Sequence, residues 1–466
     1  MMYRSILRKS LVGVIVALTL ITSLVGTASA HAQSSTQASA KHKFDKHDVL
    51  PIRLLSQYAR KLNVTANGTI AASAAATIPP CLTSAVPPRC YSPQQIRNAY
   101  NIQPLLNAGI TGKGHTVVLI DFATSPSLKS DVHLYDQLYS LKDPKINVIS
   151  PFSTPSVDAG SYVETALDIE TVHSIAPDAT IDLVLANVDT ATSYDQVLSI
   201  ALQSTQYAVQ NNLGDVISQS FGVGESCVTP AYVQAEQQVF TAARAKNITV
   251  LASSGDYGAA VITCSGANIS LQLGVNVPAA DPQVTAVGGT TLNATLKTGQ
   301  YAGETVWNED NNGVGATGGG FSTLFPLPDY QKNVIGLPNR GVPDVAFDSD
   351  PNTGVPVVVT QGASTIIAPV GGTSVGSPAW AAIVVLLNQK VGHRLGFLNP
   401  AIYALSTSAA YGRAFHDILF GNNTVTSFDM NGNPTTIIGY IADTGWDPVT
   451  GVGTPIVKGL ASTLAK

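Results

Sequence analysis

Short apolar runs rich in β-branched residues alternate with longer helical patterns from about residue 81 to the C-terminus. Strands that alternate with helices favour a parallel sheet covered by helices on both faces. No Pro- or Gly-rich linker divides residues 81–466, so the pattern predicts one large α/β domain. The predicted strands are Thr116–Ile120, Ile181–Leu185, Val216–Ser218, Ile248–Ala252, Val284–Val287, Val355–Val359 and Ile366–Val370, and the predicted helices are Ser161–Ile175, Ser193–Gln210, Pro230–Lys246 and Pro378–Lys390.

The first 80 residues do not show this alternation of predicted strands and helices. Basic residues precede a short apolar run, Leu11–Val25, and small residues follow it, which is typical of a secretory signal peptide over residues 1–30. A membrane anchor is the alternative, but a bilayer span needs about 20 apolar residues and this run is shorter. Residues 31–80 are polar, so we expect a leader or linker, at most a short propeptide, with one amphipathic helix at Val49–Leu62.

Composition changes this picture in two ways. The chain has 25 basic and 30 acidic side chains, a net charge of −5, and this balance argues against a nucleic-acid binder. Only 12% of its residues are charged, whereas an ordinary soluble protein has roughly 25%. A surface built from uncharged polar residues changes little when carboxylates are protonated, so it suits an acidic extracellular setting.

The 4 cysteines agree with secretion, because disulfides persist in oxidising compartments. The economical pairing joins Cys81 to Cys90 and Cys227 to Cys264. The sequence contains no Cys-x-x-Cys, so a zinc ribbon or a redox motif is not expected.

The sharpest local signal for chemistry surrounds Ser374. A predicted strand leads into a glycine-lined turn at residues 371–378, and a strongly apolar helix leads out of it. A serine at the start of a helix can use the free N–H groups and the positive potential there to stabilise an oxyanion. Gly372-x-Ser374-x-Gly376 also matches the nucleophile elbow of an α/β-hydrolase, but that class needs a later acid followed by a histidine, and the order here is wrong.

The sequence offers no histidine in a place where it could activate Ser374. Where a subtilisin-type histidine helix would fall, two carboxylates stand instead, Glu164 and Asp168. Residues four apart project from one face of a helix. Taken alone, this pair would be read as a solvated acidic face; with Ser374, it is a candidate general base and its partner.

These residues, together with four further motifs, carry a resemblance to a known family. The chain resembles the sedolisins, or serine-carboxyl peptidases, and kumamolisin-like members above all, from about Tyr91 to Pro455. The matching motifs are Glu164-x-x-x-Asp168, Ser254-Gly255-Asp256-Tyr257-Gly258 and Gly372-Thr373-Ser374-Val375-Gly376-Ser377-Pro378, with Val287-Gly288-Gly289-Thr290, Gly318-Gly319-Gly320-Phe321-Ser322 and Pro343-Asp344-Val345 between them.

The resemblance implies a subtilisin-like fold and an acid-active endopeptidase. By position, Ser374 is the nucleophile, Glu164 the general base, Asp168 its partner and Asp256 the oxyanion-hole donor. The chemistry suits acid: an imidazole with a pKa of about 6.5 is almost fully protonated well below that pH, whereas a carboxylate with a pKa of about 4 is still partly ionised. Asp256 has to be protonated, because only the neutral acid can donate a hydrogen bond to an oxyanion.

The sequence departs from the kumamolisin-like pattern in three places. Asp121 stands where a glutamate extends the carboxylate network, and Phe221 stands where a tryptophan does. A shorter acid and a ring without an N–H group should weaken that network. Residues 31–80 are also too few for the large folded prodomain that is usual in the family.

The resemblance also implies one calcium ion near the C-terminus. Asp417, Ile418, Asp443, Gly445 and Asp447 match the family's ligands, the middle three through their backbone carbonyls. Hard oxygen ligands of this kind are what Ca²⁺ requires. The family usually has glycine at the position of Asp443, and a carbonyl ligand tolerates that difference.

Together these observations predict a secreted, monomeric, sedolisin-like serine endopeptidase that acts on polypeptides, binds Ca²⁺ and has no nucleic-acid partner and no membrane contact once its signal peptide is removed. The alternative is a catalytically silent, secreted binding protein on the same scaffold. The replacements at Asp121 and Phe221 favour that alternative, and the retained Ser374 and carboxylates oppose it.

Overall fold

A twisted sheet of eight strands forms the centre of the molecule. In this computed structural model the described residues are 44–65, 67–70, 80–84, 87–265, 268–310, 315–428 and 434–465. The strands of the sheet are β3 Thr116–Asp121, β4 Lys145–Ile149, β5 Thr180–Leu185, β6 Val216–Gln219, β8 Thr249–Ser253, β12 Thr285–Ala294, β13 Tyr301–Val306 and β16 Val345–Asp348. Their order across the sheet is β13-β12-β8-β6-β3-β5-β4, and β16 also pairs with β12. Every pairing is parallel except that of β13 with β12.

Helices cover both faces of this sheet, as the alternating pattern predicts. Val117 and Leu119 of β3 point into one apolar core, and Val118 and Ile120 point into the other. The described helices are α1 Pro93–Ala99, α2 Gln103–Asn107, α3 Leu128–Tyr139, α4 Ala159–Ile175, α5 Tyr194–Gln210, α6 Pro230–Ala245, α7 Thr373–Val391, α8 Asn399–Ser406, α9 Tyr411–Ala414 and α10 Val457–Leu464. Helices α4 and α7 contribute to the first core, and α5 and α6 to the second. The prediction of a subtilisin-like α/β fold is confirmed.

Shorter strands form small sheets around this centre. They are β1 Arg53–Leu54, β2 Arg60–Lys61, β7 Val223–Gly224, β9 Ala260–Ser265, β10 Asn268–Leu273, β11 Asn276–Val277, β14 Gly320–Pro326, β15 Asn339–Val342, β17 Val355–Gln361, β18 Ser364–Gly371, β19 Phe415–His416, β20 Val425–Phe428, β21 Pro434–Ile437 and β22 Thr454–Pro455. Two strands predicted for the parallel sheet, residues 355–359 and 366–370, belong instead to an antiparallel hairpin of β17 and β18. Only two residues, Gly362 and Ala363, separate β17 from β18, too few for a parallel crossover.

The predicted helix over residues 49–62 is wrong. Residues 44–62, which belong to the leader, form an irregular segment that we call the strap. Strands β1 and β2 of the strap pair with β18, where their backbone groups find partners that a helix would otherwise supply. The predicted signal peptide, residues 1–30, lies outside the described residues.

Helix α7 begins at Thr373, five residues before the predicted start at Pro378. Pro378 lacks an N–H group and so cannot bond to the carbonyl of Ser374. The first turn of α7 nevertheless forms, directly after the glycine turn.

Both expected disulfides are present, joining Cys81 to Cys90 and Cys227 to Cys264. Among the described residues, every helix is either too short or too polar to cross a bilayer.

One ion pair lies entirely inside the protein. The Arg340 guanidinium donates to both oxygens of Asp344, at 2.8 and 2.5 Å, and both side chains are fully buried. Tyr403 donates a further hydrogen bond to Asp344 at 2.8 Å, and so does the backbone N–H of Ala286, also at 2.8 Å. Among these partners, only Arg340 carries a full positive charge that offsets the negative charge of Asp344.

Replacing Arg340 with Met should lower the free energy of unfolding by about 3–5 kcal/mol, because Asp344 would be left as a buried charge without its counterion. The matched control is Lys332→Ala, which removes an exposed partner of Asp329 and should leave stability unchanged. Urea unfolding of both variants checks the difference. Equal midpoints for the two would show that the buried pair contributes no more than the exposed one.

Candidate active site

The predicted catalytic residues converge where the parallel strands end. The carboxyl ends of parallel strands meet at one edge of a sheet, and ligands of open α/β sheets bind there. Asp121 closes β3, and the loop after β8 carries Asp256. Helix α4 presents Glu164 and Asp168 toward this edge, and Ser374 is the second residue of α7, which begins beside it.

Ser374 lies on a strained turn between β18 and α7. Gly372 precedes the helix with a φ of 110°, which L side chains rarely adopt, and a Cβ there would lie 2.2 Å from the carbonyl oxygen of Pro51. The Ser374 side chain is fully buried, and its backbone N–H donates to that same Pro51 oxygen at 3.2 Å. The helix start therefore holds a peptide carbonyl of the strap, as an oxyanion site would.

Glu164 and Asp168 lie on one face of α4, which begins at the N-cap Asp158. Both are buried, at 1% and 0% exposure. Burial raises the pKa of Glu164 well above its usual range, while the neighbouring Ser374 hydroxyl acts to lower it. The Ser374 Oγ and both Glu164 oxygens do not reach full hydrogen-bond geometry with any described residue. A general base has to lie close to the serine hydroxyl. The hydrogen bond between the two often reaches its full geometry only when substrate is bound.

Asp168 is oriented by a hydroxyl group at the end of the central sheet. The Ser220 hydroxyl, just beyond β6, donates to its two oxygens at 3.0 and 2.9 Å. Burial raises the pKa of Asp168 well above its usual range, and the nearby carboxyls of Asp121 and Glu164 raise it further. At acid pH the two α4 carboxyls therefore act as one coupled unit that holds at least one proton.

Asp256 is oriented by the residue that precedes the nucleophile. Its Oδ1 accepts hydrogen bonds from the Thr373 backbone N–H at 2.8 Å and from the Thr373 hydroxyl at 3.0 Å. Its Oδ2 is buried and has no hydrogen-bond partner among the described residues. Burial raises the pKa of Asp256. A protonated Oδ2 would thus be available to donate to a substrate oxygen.

A Cβ built on Gly372 would lie 2.7 Å from Asp256 Oδ2 and 2.2 Å from the Pro51 oxygen, so both oxygens flank one point. Asp256 Oδ2 therefore lies near the Pro51 carbonyl that the Ser374 N–H binds. Two donors near one carbonyl oxygen are what an oxyanion hole needs.

The two departures from the family pattern lie in the same cluster. Burial raises the pKa of Asp121 to about 7, and its charge in turn raises the pKa values of Glu164 and Asp168. Phe221 packs on Phe122 with ring centroids 5.2 Å apart. Asp121 therefore belongs to the carboxyl network, whereas Phe221 supplies packing and no hydrogen bond.

Sequence reasoning missed the residues that hold the site together. Thr373 orients Asp256 and also accepts a hydrogen bond from the Gly255 N–H at 3.0 Å, and Ser220 orients Asp168. Both stand beside residues that the motifs single out, but a hydroxyl next to a catalytic residue gives no signal of its own in one sequence. The place of Pro51 in the site had no signal either, since it depends on how the strap folds back.

The predicted calcium ligands lie together near the C-terminus. The Gly445 N–H donates to both oxygens of Asp417, at 3.0 and 3.1 Å, and the Asp443 N–H donates to Asp447 Oδ2 at 3.3 Å. Ile418 is buried beside Asp417. Burial raises the pKa of Asp447 to about 6. Two carboxylates with no Lys or Arg paired to them among the described residues suit a hard cation. Asp447 Oδ1 in addition accepts hydrogen bonds from the Val449 and Thr450 N–H groups, at 2.9 and 2.8 Å.

Several known proteins are similar to this chain in sequence and structure. Kumamolisin of Bacillus sp. (strain MN-32) is 35% identical over 381 residues, which is 79% of this chain and 62% of kumamolisin. Sedolisin of Pseudomonas sp. (strain 101) is 34% identical over 303 residues, 64% of this chain and 48% of sedolisin. A solved structure of Pseudomonas sedolisin, a serine-carboxyl proteinase complexed with two molecules of pseudo-iodotyrostatin, has a TM-score of 0.68 at 28% identity and covers 80% of this chain and 98% of that one. No family model matches the chain.

Fold and site together define a subtilisin-like α/β protein with a serine and three carboxyl groups at the carboxyl edge of its sheet. The chain belongs to the sedolisin family. Its matched region spans about three fifths of kumamolisin and about half of sedolisin.

Proposed function

We propose that this protein is a secreted serine-carboxyl endopeptidase that hydrolyses polypeptides at acid pH. The observation that carries the proposal is that the Ser374 N–H binds a peptide carbonyl, that of Pro51, while the Asp256 carboxyl flanks the same glycine turn and the Glu164 carboxyl lies near the Ser374 hydroxyl. The named peptidases among its relatives support the same reaction class. Secretion is supported by the sequence of residues 1–30 and by the two disulfides.

The reaction follows from the positions of these groups. Glu164 takes the proton of Ser374 as the serine oxygen attacks the carbonyl carbon of the substrate. The negative charge that develops on the carbonyl oxygen is stabilised by the Ser374 N–H and by protonated Asp256. Glu164 then passes the proton to the departing amine, and water cleaves the acyl-enzyme by the reverse sequence. Asp168 stabilises the charge and the orientation of Glu164 throughout.

Cleavage of denatured casein from about pH 2.5 to about pH 8 tests the proposal. An acid-active serine-carboxyl peptidase cleaves only in the acid part of this range. Cleavage that is best near neutral pH would point to a base of the histidine type, and no cleavage at any pH would favour the silent binding protein instead.

We also propose that Asp417 and Asp447 hold one Ca²⁺, with the carbonyls of Ile418, Asp443 and Gly445 as further ligands. When bound, the ion would neutralise two carboxylates that no described Lys or Arg pairs with and would tie the C-terminal segment to the core. The donor set supports this site, since all five groups offer oxygen.

Removing calcium with EDTA near pH 6 should lower the melting temperature by several degrees. An ion that binds only the native state contributes roughly 2.7 kcal/mol at a hundredfold excess over Kd. Calorimetry with and without EDTA measures this shift, and Asp417→Asn should reduce it. Asp443→Asn is the matched control, because a ligand that acts through its carbonyl does not need its carboxylate. An identical melting curve with EDTA would contradict the site.

A further inference from the structure

The strap crosses the candidate active site along the path that a bound polypeptide would follow. The Ser374 N–H donates to the Pro51 carbonyl at 3.2 Å, and the Gly222 N–H, just beyond β6, donates to the Val49 carbonyl at 2.8 Å. Pro51 therefore stands where the residue before a cleaved bond would stand. The residues that precede Pro51 show which groups of the protein the upstream part of a polypeptide would meet.

Two acidic side chains hold the basic residues of the strap. Counted back from Pro51 as the first residue, His47 is the fifth and Lys46 the sixth. His47 Nε2 lies 2.6 Å from Oδ2 of Asp158, the N-cap residue of α4. Lys46 Nζ lies 2.5 Å from Oδ1 of Asp189, in the loop after β5. The two aspartate side chains are 27% and 41% exposed, so they are open to an approaching polypeptide.

Hydrogen bonds within α4 help to keep Asp158 charged in acid. Its Oδ2 accepts hydrogen bonds from the Ser161 N–H at 2.9 Å and from the Ser161 hydroxyl at 2.8 Å. Partial burial acts to raise the pKa of Asp158, but these bonds and that of His47 outweigh burial and lower the pKa to about 2. An ordinary aspartate, with a pKa of about 3.9, is partly protonated in acid. The Ser161 bonds do not involve the strap, so they favour the charged form of Asp158 whichever polypeptide is bound.

The strap side chains that meet these carboxylates are cations. His47 Nδ1 lies 2.8 Å from Asp45 Oδ1, while its Nε2 faces Asp158. Partial burial acts to lower the pKa of His47, but the two carboxylates outweigh burial and raise the pKa. The bond from Lys46 lowers the pKa of Asp189, although the charge of the nearby Asp158 acts to raise it. Two neighbouring carboxylates are therefore matched by two neighbouring cations.

We propose that Asp158 and Asp189 select the polypeptides that this protein cleaves, by binding basic side chains at the fifth and sixth residues before the cleaved bond. This inference rests on the proposed function. A polypeptide has to take the place of the strap to reach Ser374, so its upstream side chains meet the same two carboxylates. Lys and Arg supply a positive charge at both positions, whereas a neutral side chain forms no ion pair there.

Synthetic peptides test this selection. The full chain first cleaves denatured casein at the pH of its greatest activity, and mass spectrometry locates the bonds that are cut. A casein peptide with one such bond is then made with Lys or Gln at the fifth residue before the bond and, in a second series, at the sixth. We expect kcat/KM to be about threefold to tenfold higher for Lys than for Gln in each series, as for a partly exposed hydrogen bond between charged groups. The difference should lie chiefly in KM, because a contact this far from the bond is the same in the bound substrate and in the transition state.

Two variants assign the contacts to their residues. Asp158→Asn keeps a side chain that can cap α4 but removes its charge, so the advantage of Lys at the fifth residue should disappear. Asp189→Asn should remove the advantage at the sixth residue only. Asp143→Asn is the matched control, because Asp143 forms an exposed pair with His133 of α3 at 2.9 Å, and it should leave both advantages unchanged. Each comparison is a ratio of two peptides on one variant, so a general loss of activity cancels.

The outcomes separate this inference from the function on which it rests. Equal kcat/KM values for the Lys and Gln peptides with the original chain overturn the selection and leave the peptidase function standing. An advantage of Lys that survives in Asp158→Asn and Asp189→Asn, or that is lost equally in Asp143→Asn, also overturns it, because the effect then comes from other charges. No cleavage of casein at any pH overturns the proposed function and this inference with it.

Discussion

Ser374→Ala should abolish the cleavage of casein while leaving the fold intact. The change removes the hydroxyl that we propose as the nucleophile, and no described side chain depends on that hydroxyl for a full hydrogen bond. Loss of a serine nucleophile typically removes a factor of 10⁴ or more, roughly, from the rate. Initial rates at the pH optimum, together with the melting temperature, measure both parts of this prediction.

Ser377→Ala is the matched control. Ser377 lies one turn further along α7, is equally buried, and shares a hydrogen bond of 2.8 Å with Ser218. Its removal should cost about 1 kcal/mol of stability and leave most of the activity. Residual activity above a tenth of the original in Ser374→Ala would show that another nucleophile acts.

Activity plotted against pH should give a bell-shaped curve. Its maximum should lie below the pKa of an ordinary histidine, about 6.5. The acid limb reports ionisation of the coupled Glu164/Asp168 pair, because the base has to be free to accept the Ser374 proton. Burial raises the pKa of Glu164, so this limb should lie above the range of an exposed glutamate. The alkaline limb reports loss of the Asp256 proton, since an ionised Asp256 would repel the oxyanion.

Two variants assign the limbs. Asp256→Asn keeps a neutral donor that cannot ionise, so the alkaline limb should move to higher pH with some activity retained. Glu164→Gln should be nearly inactive at every pH, because an amide cannot accept the serine proton. Removing one oxyanion donor typically costs about 10²–10³ in rate. An unmoved alkaline limb in Asp256→Asn, combined with an active Glu164→Gln, would refute the carboxyl mechanism.

The central sheet and the position of the site could be predicted from sequence because both depend on local patterns. Buried parallel strands such as β3 are continuous apolar runs, and a glycine turn before an apolar helix marks Ser374. The order of the motifs then places Glu164, Asp168 and Asp256 at the same edge. Each of these signals is carried by residues close together in the chain.

The strap could not be predicted in this way. Residues 49–62 have apolar spacing compatible with a helix, but they pair with the edge of β18, and that partner strand lies about 300 residues away in the sequence. The hairpin of β17 and β18 was misassigned for a related reason, since a fully buried apolar run reads the same in a parallel or an antiparallel sheet. Long-range pairing, not local propensity, determined both.

The carboxyl beside Ser374 also decides which reagents can inactivate this protein. Compounds that alkylate an imidazole next to a reactive serine need a histidine in contact with that serine. Beside Ser374 stands the Glu164 carboxyl instead, and two buried or part-buried histidine pairs lie elsewhere, His47 with Asp158 and His173 with Asp136. Such alkylating agents should therefore fail here. Electrophiles that add to the Ser374 hydroxyl, and carboxyl-directed reagents that esterify a protonated acid, should retain their targets, so a covalent inhibitor for this site should be directed at the serine or at a carboxyl.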